Sequence, residues 1–450
     1  MIKTRIFPLF IITILAVFLL ACTSLSSGSK ETIEAKKPFP QHTVYMEGVI
    51  KPNDRSQEQL DSDVADYYAE WKEHYLYTVP DTEPSQKFIH YNLEKAEWVE
   101  PENAVTVSEA HGYGMVILAA MAGYDSKAKE DFDAMYYFWK AHPSIFSPYL
   151  MCWQEVQNDD GSVADTPEGP DSATDGDLDI AYALLMADNQ WGSDGNIDYR
   201  SEALKCLEAI MEKEVDENDW ILLMGDWVKS GTDVEVEYLT GTRSSDFMLD
   251  HLRAFAQADK NNKDKWLNVL GKTQDIINSI YENWSPETGL MPDFINKDEE
   301  GVFSPVEGEY LEDVVDGDYN YNAARDPWRL SLDYIVNGDT TIKPCLDTLN
   351  SFIKETTGLD PEAVSPGYYV SSGKNGDPLP DRDYQDLSFT APFAVSAMID
   401  VSNQEWLNNL WIYLTAEDDE ELFGFPQDYF GDTIRMQVML IVSGNWWVPN

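Results

Sequence analysis

Asp171-Ser-Ala-Thr-Asp-Gly-Asp-Leu-Asp-Ile-Ala-Tyr-Ala-Leu-Leu-Met-Ala-Asp-Asn-Gln-Trp191 places Asp171, Asp175, Asp177 and Asp179 at the mouth of an otherwise apolar segment. Leu178, Ala181, Leu184, Leu185 and Trp191 recur at helical spacing, so the body of this segment is a helix packed in a core. Thr174 or Asp175 can cap it, and carboxylates in a first turn meet the positive end of the helix dipole. Capping uses one or two of these acids. The surplus suggests a polar cleft at the helix mouth.

Upstream, Thr106-Val-Ser-Glu-Ala-His-Gly-Tyr-Gly-Met115 leads into Val116-Ile-Leu-Ala-Ala-Met-Ala-Gly123, a second buried helix. Ser108 is a candidate N-cap and Glu109 opens the helix. Gly112 and Gly114 each cost about 1 kcal/mol of helix stability against alanine, so they imply close approach of a ligand or another helix. A carboxyl among apolar neighbours has a raised pKa, which suits a general acid. A plain first-turn charge is the other reading of Glu109.

Beyond residue 60 the pattern is helical almost throughout. Candidate helices are Ser62–Tyr75, Glu109–Ala122, Lys127–Ala141, Asp177–Gln190, Arg200–Glu214, Ser245–Ala258, Lys263–Asn283, Ala324–Val336, Ile342–Glu355, Ala391–Val401, Glu405–Leu414 and Tyr429–Val442. No sustained two-residue alternation marks a large sheet; short hairpins are expected near Val228–Tyr238 and Gly367–Ser371. Helices in sequential pairs fit an all-α fold, an (α/α)6 barrel with inner and outer helices alternating. Loops at the N-terminal ends of the inner helices would line an open groove holding Glu109 and Asp175.

The 450-residue chain carries 81 acidic and 31 basic residues, a net charge of -50. This rules against nucleic acid as a partner. It fits either attraction to a polycation or a heavily solvated surface. The chain opens Met-Ile-Lys-Thr-Arg and continues with an apolar run to Cys22, the pattern of a secretory signal rather than of a spanning helix. Leu19-Leu-Ala-Cys22 resembles a bacterial lipobox, in which the cysteine is lipidated; a plain cleaved signal is the alternative. The expected organisation is a signal peptide over 1–22, a flexible tether over 23–58 and one domain over 59–450. The expected location is the bacterial cell envelope, lipid-anchored and facing the exterior or periplasm. Cys152, Cys206 and Cys345 are widely separated and match no zinc spacing, so buried thiols are expected, with neither metal nor cofactor.

The two opening segments together resemble glycoside hydrolase family 8, the inverting endoglucanases, lichenases, chitosanases and xylanases. The run from Ala173 through Asp175, Asp177 and Ala181 to Trp191 is similar to that family's signature helix. Similar stretches follow in the family's order: Ser245-Asp-Phe-Met-Leu-Asp-His-Leu-Arg-Ala-Phe255, Gly289-Leu-Met-Pro-Asp-Phe294, Asn322-Ala-Ala-Arg-Asp-Pro-Trp-Arg329 and Ser443-Gly-Asn-Trp-Trp447. The resemblance implies the (α/α)6 barrel and an endo-acting, inverting hydrolase of β-1,4-linked glycan. It makes Glu109 the general acid and Asp175 the carboxylate that orients the central sugar.

The chain departs from the commonest family pattern at Asn322, where many members carry the basic Asp. A branch with chitosanases and lichenases also has Asn there and takes its base from a Glu in the preceding loop. Glu312 looks most like that residue, and Glu309 is the second candidate. Tyr113, Trp153, Asn322, Arg325, Trp328 and Arg329 form the expected substrate-binding set, the aromatics as stacking platforms for sugar rings. Arg325 and Arg329 would also pair with acids of the site. The expected substrate is β-glucan, with chitosan and xylan as alternatives, and the expected state is a monomer. A non-catalytic glycan-binding lipoprotein is the rival reading that Asn322 raises.

Overall fold

A computed structural model describes residues 34–450 except 94, 97–98, 168, 233, 371–372 and 417–426. Cys22, the signal segment and the first part of the expected tether lie outside the described residues. Residues 34–450 form one compact unit.

The main helices are α1 (Gln57–Tyr75), α2 (Ser108–Ala120), α3 (Ala128–Ala141), α4 (Thr174–Trp191), α5 (Tyr199–Lys213) and α6 (Leu249–Ala258). They continue with α7 (Lys263–Asn283), α8 (Asp326–Asn337), α9 (Lys343–Thr357), α10 (Pro392–Ala397), α11 (Gln404–Leu414) and α12 (Tyr429–Val442). The even-numbered helices touch in the order α2, α4, α6, α8, α10, α12 and back to α2, which closes an inner ring. Each odd-numbered helix packs outside it, α3 on α2, α5 on α4, α7 on α6, α9 on α8, α11 on α10 and α1 on α12. The fold is an (α/α)6 barrel.

Sequence explains which helices face inward. In α2 every residue but Glu109 is buried, and α4 and α12 are buried almost as completely. A helix apolar all round must lie in a core, whereas α3, α7 and α9 each bury one stripe. Helix α1 starts earlier than its hydrophobic periodicity suggests, because Ser56 and Gln59 form a capping box. Pro327 stands in the first turn of α8, where its missing N–H costs nothing.

Residues 34–56, expected as tether, instead run along the floor of the barrel. Backbone N–H groups of Lys36, Phe39, Thr43, Met46 and Ile50 donate to the carbonyls of Gln190, Ala122, Gly444, Ile335 and Met398. Those acceptors sit at the C-terminal ends of α4, α2, α12, α8 and α10, where last-turn carbonyls lack helical partners. Satisfying orphan acceptors orders a segment whose Ser, Thr, Lys and Pro content reads as flexible.

Two small antiparallel sheets lie at the opposite, N-terminal mouth. One pairs β1 (Ala104–Val107), β2 (Gln154–Gln157) and β3 (Val163–Asp165). The other pairs β4 (Thr242–Arg243), β5 (Phe294–Lys297) and β6 (Phe303–Pro305). The hairpin expected near Val228–Tyr238 is instead a short helix, Trp227–Ser230, and a 3-10 turn, Val236–Thr240. Near Gly367, among the described residues, isolated bridges form from Tyr368 to Tyr319 and Pro378. Cys152, Cys206 and Cys345 are free, buried thiols.

Candidate active site

Helices α2 and α4 cross so closely that a Cβ on Gly112 would stand 2.6 Å from Asp179 Cβ. One on Gly176 would stand 2.4 Å from Ser108 Oγ. The glycines therefore serve helix packing. The expected caps do not form: Val107 and Ala173 occupy the N-cap positions without side-chain caps. Ser108 is buried in the crossing, and Thr174 Oγ1 donates to Leu223 O at 2.6 Å. The acids at the mouth of α4 are thus free for separate partners. Asp177 accepts the Met151 N–H at 2.8 Å, Asp179 pairs with Arg329, and Asp175 turns to Glu109's side of the mouth through Arg325.

Arg325 organises the centre. Its Nη1 donates to Glu109 Oε2, to Asp175 Oδ2 at 2.9 Å and to Tyr113 Oη at 3.3 Å; its Nη2 donates to Asn322 Oδ1 at 2.9 Å. Tyr429, at the start of α12, donates its hydroxyl to Glu109 Oε1 at 2.9 Å. Burial, reinforced by Asp175 and outweighing Arg325, pushes the Glu109 carboxyl up to about 7. Burial works on Asp175 in the same direction, but Arg243 and Arg325 outweigh it and hold that carboxyl below its ordinary range. Two acids on one arginine therefore differ in proton affinity.

The other side of the cluster is built from the loop before α8. Asn322 Nδ2 donates to Glu312 Oε2 at 2.8 Å, and Arg243 Nη1 approaches Glu312 Oε1 at 3.4 Å. The Glu312 side chain is 46% exposed, open to the groove side of the loop. Asp316 fixes that loop by accepting the backbone N–H groups of Tyr310, Leu311, Glu312 and Asp313 at 2.8–2.9 Å. Asp293 does the same for the turn that carries Asn322, accepting from Asn320 and Ala323 at 3.0 and 2.7 Å. Burial pushes Asp293 up to about 7. Glu309 is exposed and takes part in none of these contacts. Among the described residues, no hydrogen bond joins Glu109 to Glu312 directly; Arg325 and Asn322 stand between them.

Three expected substrate contacts prove to be core. Tyr113, Trp328 and Arg329 are each completely buried. Arg329 grips Asp179 with both terminal nitrogens, at 3.2 and 2.5 Å, and lies 4.0 Å over the Trp328 ring. Asp179 also bonds His251 Nε2 at 3.0 Å, so this charge pair is locked inside the barrel wall. The helical turn separating Arg325 from Arg329 puts one at the mouth and the other a layer deeper. Trp153 remains half-buried with its Nε1 donating to Gly169 O at 2.9 Å, leaving ring surface for a ligand. Tyr321 and Tyr384, 38% and 44% exposed and hydroxyl to hydroxyl at 3.1 Å, offer further aromatic surface that the motifs did not single out.

Arg243, Tyr429, Asp293 and Asp316 also escaped the motif reading. Arg243 stands two residues before the Ser245 stretch, and Asp293 lies within Gly289–Phe294, so both stood at the edge of quoted motifs. Only the closing of the ring brings Tyr429 to Glu109. The assembled set offers a carboxyl that keeps its proton to about pH 7 and, across the Arg325–Asn322 bridge, a carboxyl open to solvent. Acid–base hydrolysis requires such a pair.

The sequence profile of glycosyl hydrolases family 8 matches residues 99–444. A beta-glucanase from Niallia circulans is 40% identical over 416 residues, covering 91% of each chain. An endoglucanase from Bacillus sp. strain KSM-330 is 34% identical over 435 residues, covering 94% of this chain and 85% of its own. Among solved structures, the beta-1,3-1,4-glucanase from Paenibacillus sp. X4 is 40% identical with a TM-score of 0.81, over 92% of this chain and 99% of that one. A cold-adapted family 8 xylanase shares the fold at 19% identity, with a TM-score of 0.69 over 88% of this chain and 92% of its own.

Proposed function

The chain belongs to glycosyl hydrolases family 8 and is a glycoside hydrolase; we propose that it cleaves β-1,3-1,4-linked glucan internally, with inversion, while held to the cell envelope through Cys22. The observation that carries the catalytic part is Glu312 seated on the Asn322 amide, across the Arg325 bridge from Glu109. A carboxyl from the loop stands where the asparagine itself has no basic group.

In this reading Glu109 protonates the glycosidic oxygen as the bond to the anomeric carbon breaks. Glu312 takes a proton from water, which attacks that carbon from the opposite face. Inverting enzymes place the two carboxyls roughly 6.5–9.5 Å apart to admit this water. Asp175, kept ionised by its two arginines, accepts a hydrogen bond from the sugar at the cleavage point. Arg325 holds acid and orienting carboxylate on one nitrogen, and Asp316 holds the base loop. Trp153, Tyr321 and Tyr384 supply stacking surface along the groove.

The substrate assignment rests on the glucanases that match this chain at 40% identity over nearly their full length. Envelope attachment rests on Leu19-Leu-Ala-Cys22 and the preceding apolar run. One preparation tests both. Wild-type protein is assayed side by side on lichenan, carboxymethylcellulose, chitosan and xylan, with lichenan expected to be cleaved fastest and viscosity to fall ahead of reducing-end release. Preferred cleavage of chitosan or xylan would overturn the substrate reading. Binding without cleavage of any of the four would make it a glycan-binding protein. Cys22→Ser should move the protein out of the membrane fraction; unchanged fractionation would reject the anchor.

A further inference from the structure

Beside the strand that leads into α2 stands a group of titratable side chains that hydrolysis does not use. His142 follows α3, Glu155 lies on β2 and Asp165 on β3. One ligand atom from each, a ring nitrogen and two carboxyl oxygens, lies within 4.8 Å of the others. The sheet register explains the meeting, since Glu155 and Asp165 are direct cross-strand partners. Like charges opposite one another destabilise a sheet pair.

Glu155 is the informative member. It is completely buried, and neither carboxyl oxygen has a hydrogen-bond partner. Leaving a buried polar group unsatisfied costs about 1–3 kcal/mol, and more for a charge. Burial and Asp165 together push its carboxyl well above the ordinary range. His142 Nδ1 lies 2.7 Å from Asp165 Oδ1, and the Asp165 side chain, 36% exposed, opens the group to solvent. The neighbouring Cys152 thiol is engaged elsewhere, donating to Gln154 O at 3.1 Å.

We propose that His142, Glu155 and Asp165 bind one divalent cation, with Zn2+ the best match, as a structural clasp on the sheet that carries the chain into α2. One imidazole and two carboxylates suit Zn2+, which takes mixed nitrogen and oxygen ligands in tetrahedral array; Ca2+ and Mg2+ prefer all-oxygen sites. Water entering past Asp165 would complete the fourth position. Metal ligands bind deprotonated, so the ion displaces the Glu155 proton and the hydrogen between His142 Nδ1 and Asp165, leaving an imidazole nitrogen and two carboxylates facing it. Ligands about 2.0–2.1 Å from zinc stand about 3.3 Å apart, so the His142–Asp165 contact opens by about half an ångström. The clasp joins the end of α3 to β2 and β3, and β1, paired with β2, runs directly into Glu109's helix. No metal spacing is legible in the sequence, because strand pairing and the packing of the α3 end bring the three donors together.

The test uses the full chain without a histidine tag, stripped with chelator and titrated with ZnCl2, CaCl2 and MnCl2 by calorimetry. A chain of net charge -50 attracts divalent ions loosely over its surface, so stoichiometry and the variants decide. One saturable Zn2+ per chain is expected, raising the Tm, and binding should be at least about tenfold weaker in Glu155→Gln. Should that variant fail to fold, the accessible Asp165→Asn takes its place. Co2+ in the same site should give visible absorption bands that Zn2+ abolishes. No stoichiometric Zn2+ uptake, or uptake unchanged in both variants, would overturn the proposal. Uptake of Ca2+ in preference to Zn2+ would overturn the assigned donor chemistry.

Discussion

At the scale of single residues, the unlike behaviour of Glu109 and Asp175 on one arginine is the main chemical feature. A general acid must carry its proton to work, so activity should fall as pH rises through about 7, the value to which burial lifts Glu109. Glu109→Gln should lower kcat on unactivated glycan by about 10²–10⁴-fold or more and abolish that alkaline limb. A pH–rate profile measured on both proteins checks this, and wild-type turnover by the variant would exclude Glu109 as the acid. For the base, Glu312→Ala should be nearly inactive, with azide partly restoring turnover and yielding the glycosyl azide of inverted configuration. Asn322→Asp should bring no large gain, since the working carboxyl already sits on that amide. Product analysis by NMR distinguishes these outcomes. Loss of activity in Glu309→Ala instead would move the base upstream.

At the scale of elements, the crossing of α2 and α4 sets the spacing of acid and orienting carboxylate. Alanine is a better helix former than glycine by about 1 kcal/mol, so propensity alone favours Gly112→Ala. The 2.6 Å contact with Asp179 Cβ opposes it, and overpacking a tight core costs about 1–3 kcal/mol. Gly112→Ala should therefore lower the Tm and kcat together. Gly271→Ala, on the outer helix α7 with nothing within 4 Å, should raise the Tm and leave kcat unchanged. Thermal melts and initial rates on the two variants make the comparison. Equal stabilisation by both would mean that the helices are free to move apart.

At the scale of the whole molecule, charge decides how stability varies with pH. Glu109, Asp246 and Asp293 are each lifted to about 7, so the folded state holds protons that the unfolded chain releases near pH 4. Where the native state binds more protons, stability falls as pH rises, here between about 4 and 7. Asp175 and Asp179, held low by their arginines, act oppositely, and their contribution disappears only below about pH 4. The net charge of -50 adds self-repulsion as carboxyls ionise. The Tm should peak on the acid side of neutrality and decline toward pH 8, and salt should recover part of the loss by screening. Calorimetric scans at low and high salt across this range check it; a Tm maximum above pH 7 would contradict the carboxyl shifts.

The sequence by itself determined the barrel helices, their order and their pairing, though not the short helix Trp227–Ser230. Local periodicity fixes a helix, and the difference between α2, apolar all round, and one-striped α3 already separates inner from outer. It also marked Glu109, Asp175, Asn322 and Glu312, because each stands in a short motif. Tertiary structure decided the rest. It put Arg325 at the mouth and Arg329 in the wall, turned Tyr113 and Trp328 into core, and drew residues 34–56 onto the carbonyls of the barrel floor. It brought Arg243, Tyr429 and Asp316 to a site whose motifs lie far from them in the chain, and set Glu155 against Asp165. Such placements depend on ring closure and strand register, which sum contacts between distant segments; no single stretch of chain encodes them.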